Sequence, residues 1–429
     1  MYKVGLISLG CAKNLVDSEI ILGMLDASKF TLTNSIEESD VIIINTCGFI
    51  EESKQESIEN ILDIISYKKK TVVVGCLVER YLDELKKEIP EVDLWVPIRE
   101  YTNLNTKLEQ LLEVDNIERF NPFRRILSTP SYMAYLRISE GCSNCCTYCA
   151  IPLIRGKFRS RPFEDLLVEA KSLYQKGIKE LVVISQDTTK YGIDLKDNVN
   201  IVTLLKALEE IPFYSIRLLY LYPDEISDEL IELIKNSKVI KPYFDIPFQH
   251  SSDSILKDMH RRGNREEYEQ LLYRIRKAIP NAVIRTTYIV GFPNEKDEDF
   301  ANLVDFTSKS RFDHMGAFKY SREDHTVAFS LDNQVAEKIK EERLSKIMDI
   351  QKKISYQNNK ARIGEIMEGI VIGYNPKNKV YSLRSYWNAP DNIDGKISFV
   401  SNKEHKIGEI VKVKITNAFV YDLFGEVVE

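Results

Sequence analysis

The chain has 429 residues, 44% hydrophobic and 29% charged, with a formal net charge of −6. That length suggests two or three domains, and the composition excludes a disordered chain, a collagen and a disulfide-stapled miniprotein. No apolar run reaches the ~18 residues a membrane span needs, and the first segment, MYKVGLISLGCAKN, lacks the apolar core of a secretory signal, so a cytoplasmic protein is expected. Charge is unevenly spread: net −7 over residues 1–130, +1 over 131–360 and 0 over 361–429. No segment has the strongly basic balance of a general nucleic-acid binder, and the acidic first third favours a basic partner.

The first third alternates strand and helix. KVGLISLGC is an apolar run ending at Cys11, followed by a helical stretch from about Leu15 to Leu25. VIIINTC ends at Cys47 and precedes a helix from Glu51 to Ile65, with Ile58, Ile61, Leu62 and Ile65 at helical spacing. TVVVGC ends at Cys76, and a helix from Glu79 to about Glu88 and the run VDLWVP come next. Continuous apolar strands separated by helices predict a doubly wound parallel sheet covered on both faces. Cys11, Cys47 and Cys76 then share one place, the carboxyl end of a strand, and those ends lie on one sheet edge where such folds build their sites. A strand end also suits any small apolar residue, and buried cysteine is common; three equivalent positions point to one metal centre.

RFNPFRRILSTPSY interrupts the alternation, and residues 121–131 read as a linker between a first domain (1–120) and a second (132–360). The second carries six strand candidates at 134–139, 180–187, 216–222, 243–250, 282–291 and 314–321. Helical stretches lie between them, among them Phe163–Lys176, Val202–Glu210, Ile226–Lys235 and Asp297–Ser308. Six βα units predict a partial (βα)6 barrel or an open sheet, since a complete eight-unit barrel needs more chain. A charged helix spans about 334–360. Residues 361–429 hold five short strands separated by Gly, Asn, Pro and Asp, which predicts a small antiparallel β-barrel of OB-like type.

Four of the seven cysteines, Cys142, Cys145, Cys146 and Cys149, fall within eight residues. In a cytosolic chain that density indicates metal or catalysis rather than disulfides. GCSNCCTYCAIP presents C-x3-C-x2-C at Cys142, Cys146 and Cys149, with Cys145 an additional thiol in the first gap. Iron–sulfur clusters usually take four cysteines, so three leave one iron open, as chemistry at a metal requires. Zinc is the alternative, but two abutting CxxC units lack the usual separation between knuckles. An apolar helix face is a further alternative, opposed by Gly141, Ser143, Asn144 and Pro152.

C-x3-C-x2-C after the first strand of a six-unit βα domain resembles the radical S-adenosylmethionine superfamily. That resemblance implies a 4Fe–4S cluster on Cys142, Cys146 and Cys149, whose open iron is chelated by the amine and carboxylate of S-adenosylmethionine before cleavage to a 5′-deoxyadenosyl radical. It places Tyr148 on the adenine side, Gln186 and Asp187 of SQDTTKYG (185–192) in the cofactor contact region, and Gly291 of VGFP (290–293) in another cofactor loop. The whole chain then resembles the methylthiotransferases, with a three-cysteine α/β domain, a radical domain and a C-terminal barrel of the kind called TRAM. Cys11, Cys47 and Cys76 would hold a second, auxiliary 4Fe–4S cluster. NTCGFIEESKQES and IPLIRGKFRSRP match the family as well. SLGCAKNLVDSE (8–19) and RSYWNAPDNIDG (384–395) resemble the RimO branch, which modifies an aspartate of ribosomal protein S-twelve; the tRNA-modifying MiaB branch typically reads GCQMN at the first of these places.

The activity this resemblance implies is methylthiolation of an aspartate β-carbon by two clusters and two uses of S-adenosylmethionine. Ribosomal protein S-twelve is then the partner, together with a sulfur donor and an electron donor such as flavodoxin or ferredoxin, and no direct tRNA substrate is expected. Two further features stay open, RGKFRSR between steering an anionic group and a solvated loop, and His250 between a structural or substrate-contact histidine, which is favoured, and a metal ligand. RGKFRSR (155–161) puts four positive charges beside the central cysteines, His250 sits at a strand end, and Lys68, Lys69 and Lys70 read as a surface turn.

Overall fold

The structure, a computed structural model, describes residues 1–196, 198–390 and 393–428. Asp391 and Asn392 of the RSYWNAPDNIDG segment, and Glu429 of the last strand candidate, lie outside the described residues.

The first part is a parallel sheet in the order β2 (Phe30–Leu32), β1 (Tyr2–Ser8), β3 (Val41–Thr46), β4 (Lys70–Gly75), β5 (Leu94–Pro97). Every residue of β3 is buried because both faces are covered. Val41 and Ile43 pack with α1 (Ala12–Gly23) and α4 (Leu104–Leu112). Ile42 and Ile44, pointing the other way by the period-2 rule, pack with α2 (Glu51–Ser66) and α3 (Cys76–Glu88). The edge strand β2 is three residues long and the helix α4 nine, too short to stand out in the sequence. Each helix begins at the carboxyl end of its strand, so the three cysteine-bearing turns come from three neighbouring strands, β1, β3 and β4.

The second part has six parallel strands. β6 (Met133–Arg137), β9 (Glu180–Ile184) and β10 (Ser215–Leu218) form one run, and β11 (Tyr243–Asp245), β12 (Val283–Val290) and β13 (His314–Lys319) the other. A single parallel bridge, Ile216 to Ile240, joins them into a partial barrel. Between β6 and β9 a two-stranded ribbon, β7 (Ser139–Glu140) with β8 (Arg159–Ser160), brackets the cysteine loop and α5 (Ile151–Arg155). The outer helices are α6 (Phe163–Gln175), α7 (Ile201–Glu209), α8 (Asp228–Asn236), α9 (Asp253–Asp258), α10 (Arg265–Ala278), α11 (Asp297–Ser310) and α12 (Glu337–Ala361).

The inner face of this barrel is not hollow. Tyr135, Val182, Ile184, Leu219, Tyr243 and Val283 share one apolar cluster with Ala12, Val16 and Ile20 of α1 and with Trp387 and Met367 from the C-terminal region. That region is a closed five-stranded barrel, ordered β14 (Ile366–Asn375), β15 (Val380–Ser385), β16 (Ile397–Val400), β18 (Leu423–Val428), β17 (Ile410–Ala418). All its pairs are antiparallel except β16 with β18, which closes the ring in parallel. It covers the amino-terminal mouth of the larger barrel: Tyr243 donates to Asp394 at 2.6 Å, Arg285 lies 3.4 Å from the same carboxylate, and the Arg217 guanidinium donates to the Ser385 carbonyl at 2.6 Å. Helix α1 therefore stands with its start over the carboxyl ends of the barrel strands. No helix among the described residues is long and apolar enough to cross a membrane.

Candidate functional site

Gly10 has φ +86°, and a Cβ there would lie 2.8 Å from the Cys47 Cβ and 2.9 Å from its Sγ. Only glycine lets the β1–α1 turn approach Cys47 this closely, and that approach brings Cys11 to the same edge. Cys11 is the N-cap of α1 and Cys76 the first residue of α3, so two of the three sulfurs sit at positive helix ends. Cys11 is exposed, whereas Cys47 and Cys76 are buried. Burial pushes Cys76 up to about 12 and raises Cys47, with the neighbouring thiols adding to both. Cys11 keeps its opening to solvent; the protein packed around the turn opposes its ionisation, but Lys13, Arg155 and the N–H groups of Asn14 and Lys13 outweigh this and hold the thiol below its usual value.

The central triad lies in the loop between β7 and β8. Gly141 has φ +71°, and a Cβ there would meet the Lys157 carbonyl at 2.3 Å, so the loop folds back on itself just before Cys142. Cys149 N donates to the Cys146 carbonyl at 3.1 Å. Burial pushes Cys149 up to about 12 and also raises Cys142, each with Cys146 close enough to add to the effect. The Cys146 Sγ lies 3.6 Å from the Tyr222 hydroxyl, and Arg261 stacks over that ring at 3.9 Å. Cys145 points away: it is exposed, has φ +55°, and its thiol donates to the Ser143 carbonyl.

The two triads meet. Cys76 packs in one apolar cluster with Ala150, the residue after Cys149, and with Ile154. Arg155 reaches across: its Nη2 is 3.6 Å from the Cys76 Sγ and 3.2 Å from Asn14 Oδ1, and its Nη1 is 2.7 Å from Asp17 and 3.4 Å from Glu140. Arg137 holds the other Asp17 oxygen at 2.6 Å. Burial alone would raise Asp17, yet the two guanidiniums keep its carboxyl below the usual range. Arg155 is thus the one charge of RGKFRSR taken into the junction, while Arg161 pairs with Glu169 at 2.6 Å. Lys68, Lys69 and Lys70 come just after α2, with Lys69 and Lys70 bonding backbone carbonyls of Glu37 and Leu111.

The remaining sequence candidates fall around the central loop. Tyr148 packs edge-on against Phe292, ring centroids 6.4 Å apart, so the loop aromatic meets the VGFP turn. Asp187 is buried; it accepts from Asn144 at 2.7 Å and from Thr189 at 2.7 Å, which ties the β9 end to the cysteine loop. Gln186 donates to Glu140 at 3.5 Å, and its own carbonyl oxygen is buried without a partner among the described residues. Gly291, φ +70°, donates its N–H to Glu295 at 2.6 Å, and Arg343 fixes that carboxylate at 2.9 Å. The sequence motifs did not point to Asn14, Asp17, Glu140, Arg155, Tyr222 or Arg261 as a connected set, because their partners lie on distant segments.

His250 is fully buried beside this turn, its Nδ1 accepting the Ser252 N–H at 2.9 Å. Burial pulls its pKa down to about 3, opposed by Asp299 and reinforced by Arg343. Its unfolded value is near 6.5, so the ring is neutral in the fold and the stability it contributes is present above pH 6.5 and lost as pH falls below it. Between pH 6.5 and 5 the loss is roughly 1.5 kcal/mol. Urea titrations at the two pH values are expected to show this drop in the native chain and a smaller one in His250→Gln; equal drops would remove His250 as the cause.

Three thiols at one sheet edge and three in one loop, with space at Gly10 that only a missing Cβ leaves, form a sulfur donor set suited to iron–sulfur clusters. No three His, Cys, Asp or Glu side chains among the described residues come together tightly enough for a single metal ion.

Residues 3–97 match the family described as Uncharacterized protein family UPF0004, residues 136–307 the Radical SAM superfamily, and residues 363–428 the TRAM domain. Among solved structures, the radical S-adenosylmethionine methyltransferase TsrM from Kitasatospora setae, with cobalamin and a [4Fe-4S] cluster bound, is 13% identical, with a TM-score of 0.58 over 86% of this chain and 80% of that one. At that identity the likeness is one of fold. Ribosomal protein uS12 methylthiotransferase RimO of Clostridioides difficile (strain 630) is 47% identical over 441 residues, covering 100% of this chain and 99% of the relative. The protein of the same name from Aquifex aeolicus (strain VF5) is 46% identical over 431 residues, covering 99% and 96%. Full-length likeness at this level, on a fold whose central loop carries the radical cysteine motif, makes the chain a radical S-adenosylmethionine methylthiotransferase that uses an iron–sulfur cluster and belongs to the RimO family.

Proposed function

We propose that the chain methylthiolates the β-carbon of an aspartate in ribosomal protein uS12, with one 4Fe–4S cluster on Cys142, Cys146 and Cys149 and a second on Cys11, Cys47 and Cys76. The observation that carries this is the junction of the triads: Cys76 packs on Ala150, beside Cys149, and Arg155 spans from the central loop to the Cys76 sulfur. An unactivated C–H bond is beyond side-chain acid–base chemistry, and the clusters with S-adenosylmethionine would supply the methyl transfer and the radical step. Protein groups do the rest. Tyr148, Gln186 and Gly291 would contact S-adenosylmethionine beside the central triad, where Asp187 holds the loop through Asn144. Arg137 and Arg155 clamp α1 through Asp17, which fixes the Cys11 turn above the barrel strands. An external electron donor of flavodoxin or ferredoxin type and a sulfur donor belong to the same proposal.

Mass spectrometry after reaction of the anaerobically reconstituted enzyme with uS12 and with tRNA tests the target. A gain of about 46 Da on uS12, methylthio for hydrogen, is expected, mapped by fragmentation to one aspartate. The same gain on tRNA alone would assign the chain's substrate to nucleic acid.

A further inference from the structure

We propose that Lys13 receives the carboxylate of the target side chain, and so sets the enzyme's preference for an acidic residue; this rests on the aspartate target argued above. Lys13 lies two residues after Cys11, is 8% exposed, and places its Nζ 3.4 Å from the centroid of the Tyr220 ring. Its neighbours among the buried cations each have a carboxylate: Arg137 and Arg155 share Asp17, and Arg285 pairs with Asp245 at 3.0 Å. Lys13 has none within ion-pair distance among the described residues, and its ammonium makes no hydrogen bond there. Asp245, the acid at the same mouth, is already committed, accepting from Arg285 and from the Tyr220 N–H at 2.9 Å.

A charge this deep is ordinarily paired, and the face of an aromatic ring is a weaker partner than a carboxylate. The ring is itself held in place. Tyr220 sits in the left-handed region at φ +63°, fixed by Asp245 on its N–H and by Thr188 N, which donates to its carbonyl at 3.0 Å. Backbone strain kept up by surrounding bonds is characteristic of functional positions. The Lys13 backbone is fixed too, its carbonyl accepting from Arg137 at 3.3 Å. The result is a cation over the Tyr220 ring beside the exposed Cys11, with three donors and no hydrogen-bond acceptor among the described residues.

The chemistry fits that placement. An aspartate's carboxylate is bonded directly to the carbon that reacts. A charge-assisted hydrogen bond to it therefore fixes that carbon to within one bond, on the side of the Cys11 triad. A neutral amide in the same position would keep the shape and lose the charge.

The test uses full-length reconstituted enzyme and two probes, uS12 and uS12 with the target Asp→Asn, with affinity read by fluorescence anisotropy and KM and kcat by mass spectrometry. The native enzyme is expected to bind the aspartate form about tenfold or more tightly than the asparagine form, the size of one lost charged hydrogen bond. Lys13→Met is expected to erase that preference by weakening the aspartate form alone, with a raised KM, and Lys13→Arg to restore part of it. If Lys13→Met weakens both forms equally, or keeps the preference, the inference falls while the uS12 assignment stands. If the native enzyme binds neither form, the uS12 assignment falls and this inference with it.

Discussion

Cys142→Ala is expected to abolish production of 5′-deoxyadenosine from S-adenosylmethionine, whereas Cys47→Ala is expected to leave it and to stop methylthio transfer. Chromatography of the nucleoside product and mass spectrometry of uS12 read the two steps separately. The division comes from which elements hold each triad. Cys142 lies in the ribbon-bracketed loop, where Gly141 folds against Lys157 and Asn144 is tied to Asp187 at the end of β9. Cys47 sits just past β3, with its N–H donating to the Ser57 hydroxyl at 3.0 Å and the Gly10 turn packed against it. Of the first triad it is the better choice for the test, because Cys76 touches α5 and Arg155, so that a change at Cys76 would disturb both centres. Anaerobically reconstituted native enzyme is expected to carry about eight irons, four per cluster, and each variant about four fewer. Identical loss of both activities in the two variants would defeat the division of labour, and four irons in the native enzyme would defeat the second cluster.

Much of this was legible in the sequence because the strongest local signals coincide with the site. VIIINT and TVVVG are apolar without alternation, which only a strand buried on both faces permits, and each runs straight into a cysteine. The same regularity predicted six strands in the barrel and five in the terminal ring, and those are the strands observed. The segment expected as a linker is another matter of partners rather than pattern. Arg125 within it is buried, bonding Glu19 of α1 at 2.6 Å and pairing with Glu169 of α6, and nothing in RFNPFRRILSTPSY marks one arginine as different from the next. Likewise RGKFRSR reads as a run of like charge. Its members part company only when the fold brings Asp17 and Glu140 to Arg155 and Glu169 to Arg161. Long-range pairing of this kind leaves no periodicity for a single sequence to reveal.

Arg155→Met is expected to cost the full chain on the order of 3 kcal/mol, the penalty for taking one partner from a buried charge cluster, read as a lower urea midpoint of the first unfolding transition. Methionine keeps most of the arginine's length and apolar contact, so packing against Ile154 and Cys76 changes little, and the loss is electrostatic. It leaves Asp17 with Arg137 alone and Glu140 with one fewer cation, and it opens a polar gap between Asn14 and the Cys76 sulfur. Because Asp17 belongs to α1 and Arg155 to α5, the weakened contact is one of those that seat the first domain on the barrel, beside Arg137 with Asp17 and Arg80 with Glu323. The double variant Arg155→Met with Asp17→Asn separates the causes. Without Arg155, Asp17 and Glu140 share Arg137, so removing one of those two carboxylates is expected to recover part of the stability, since a buried cluster is worse half-paired than neutral. Methylthio transfer should stay low in both variants, because neither restores the span from the central loop to Cys76. If the double variant is less stable by the sum of two independent losses, Arg155 and Asp17 are not coupled, and the clamp between the triads is not what holds them together.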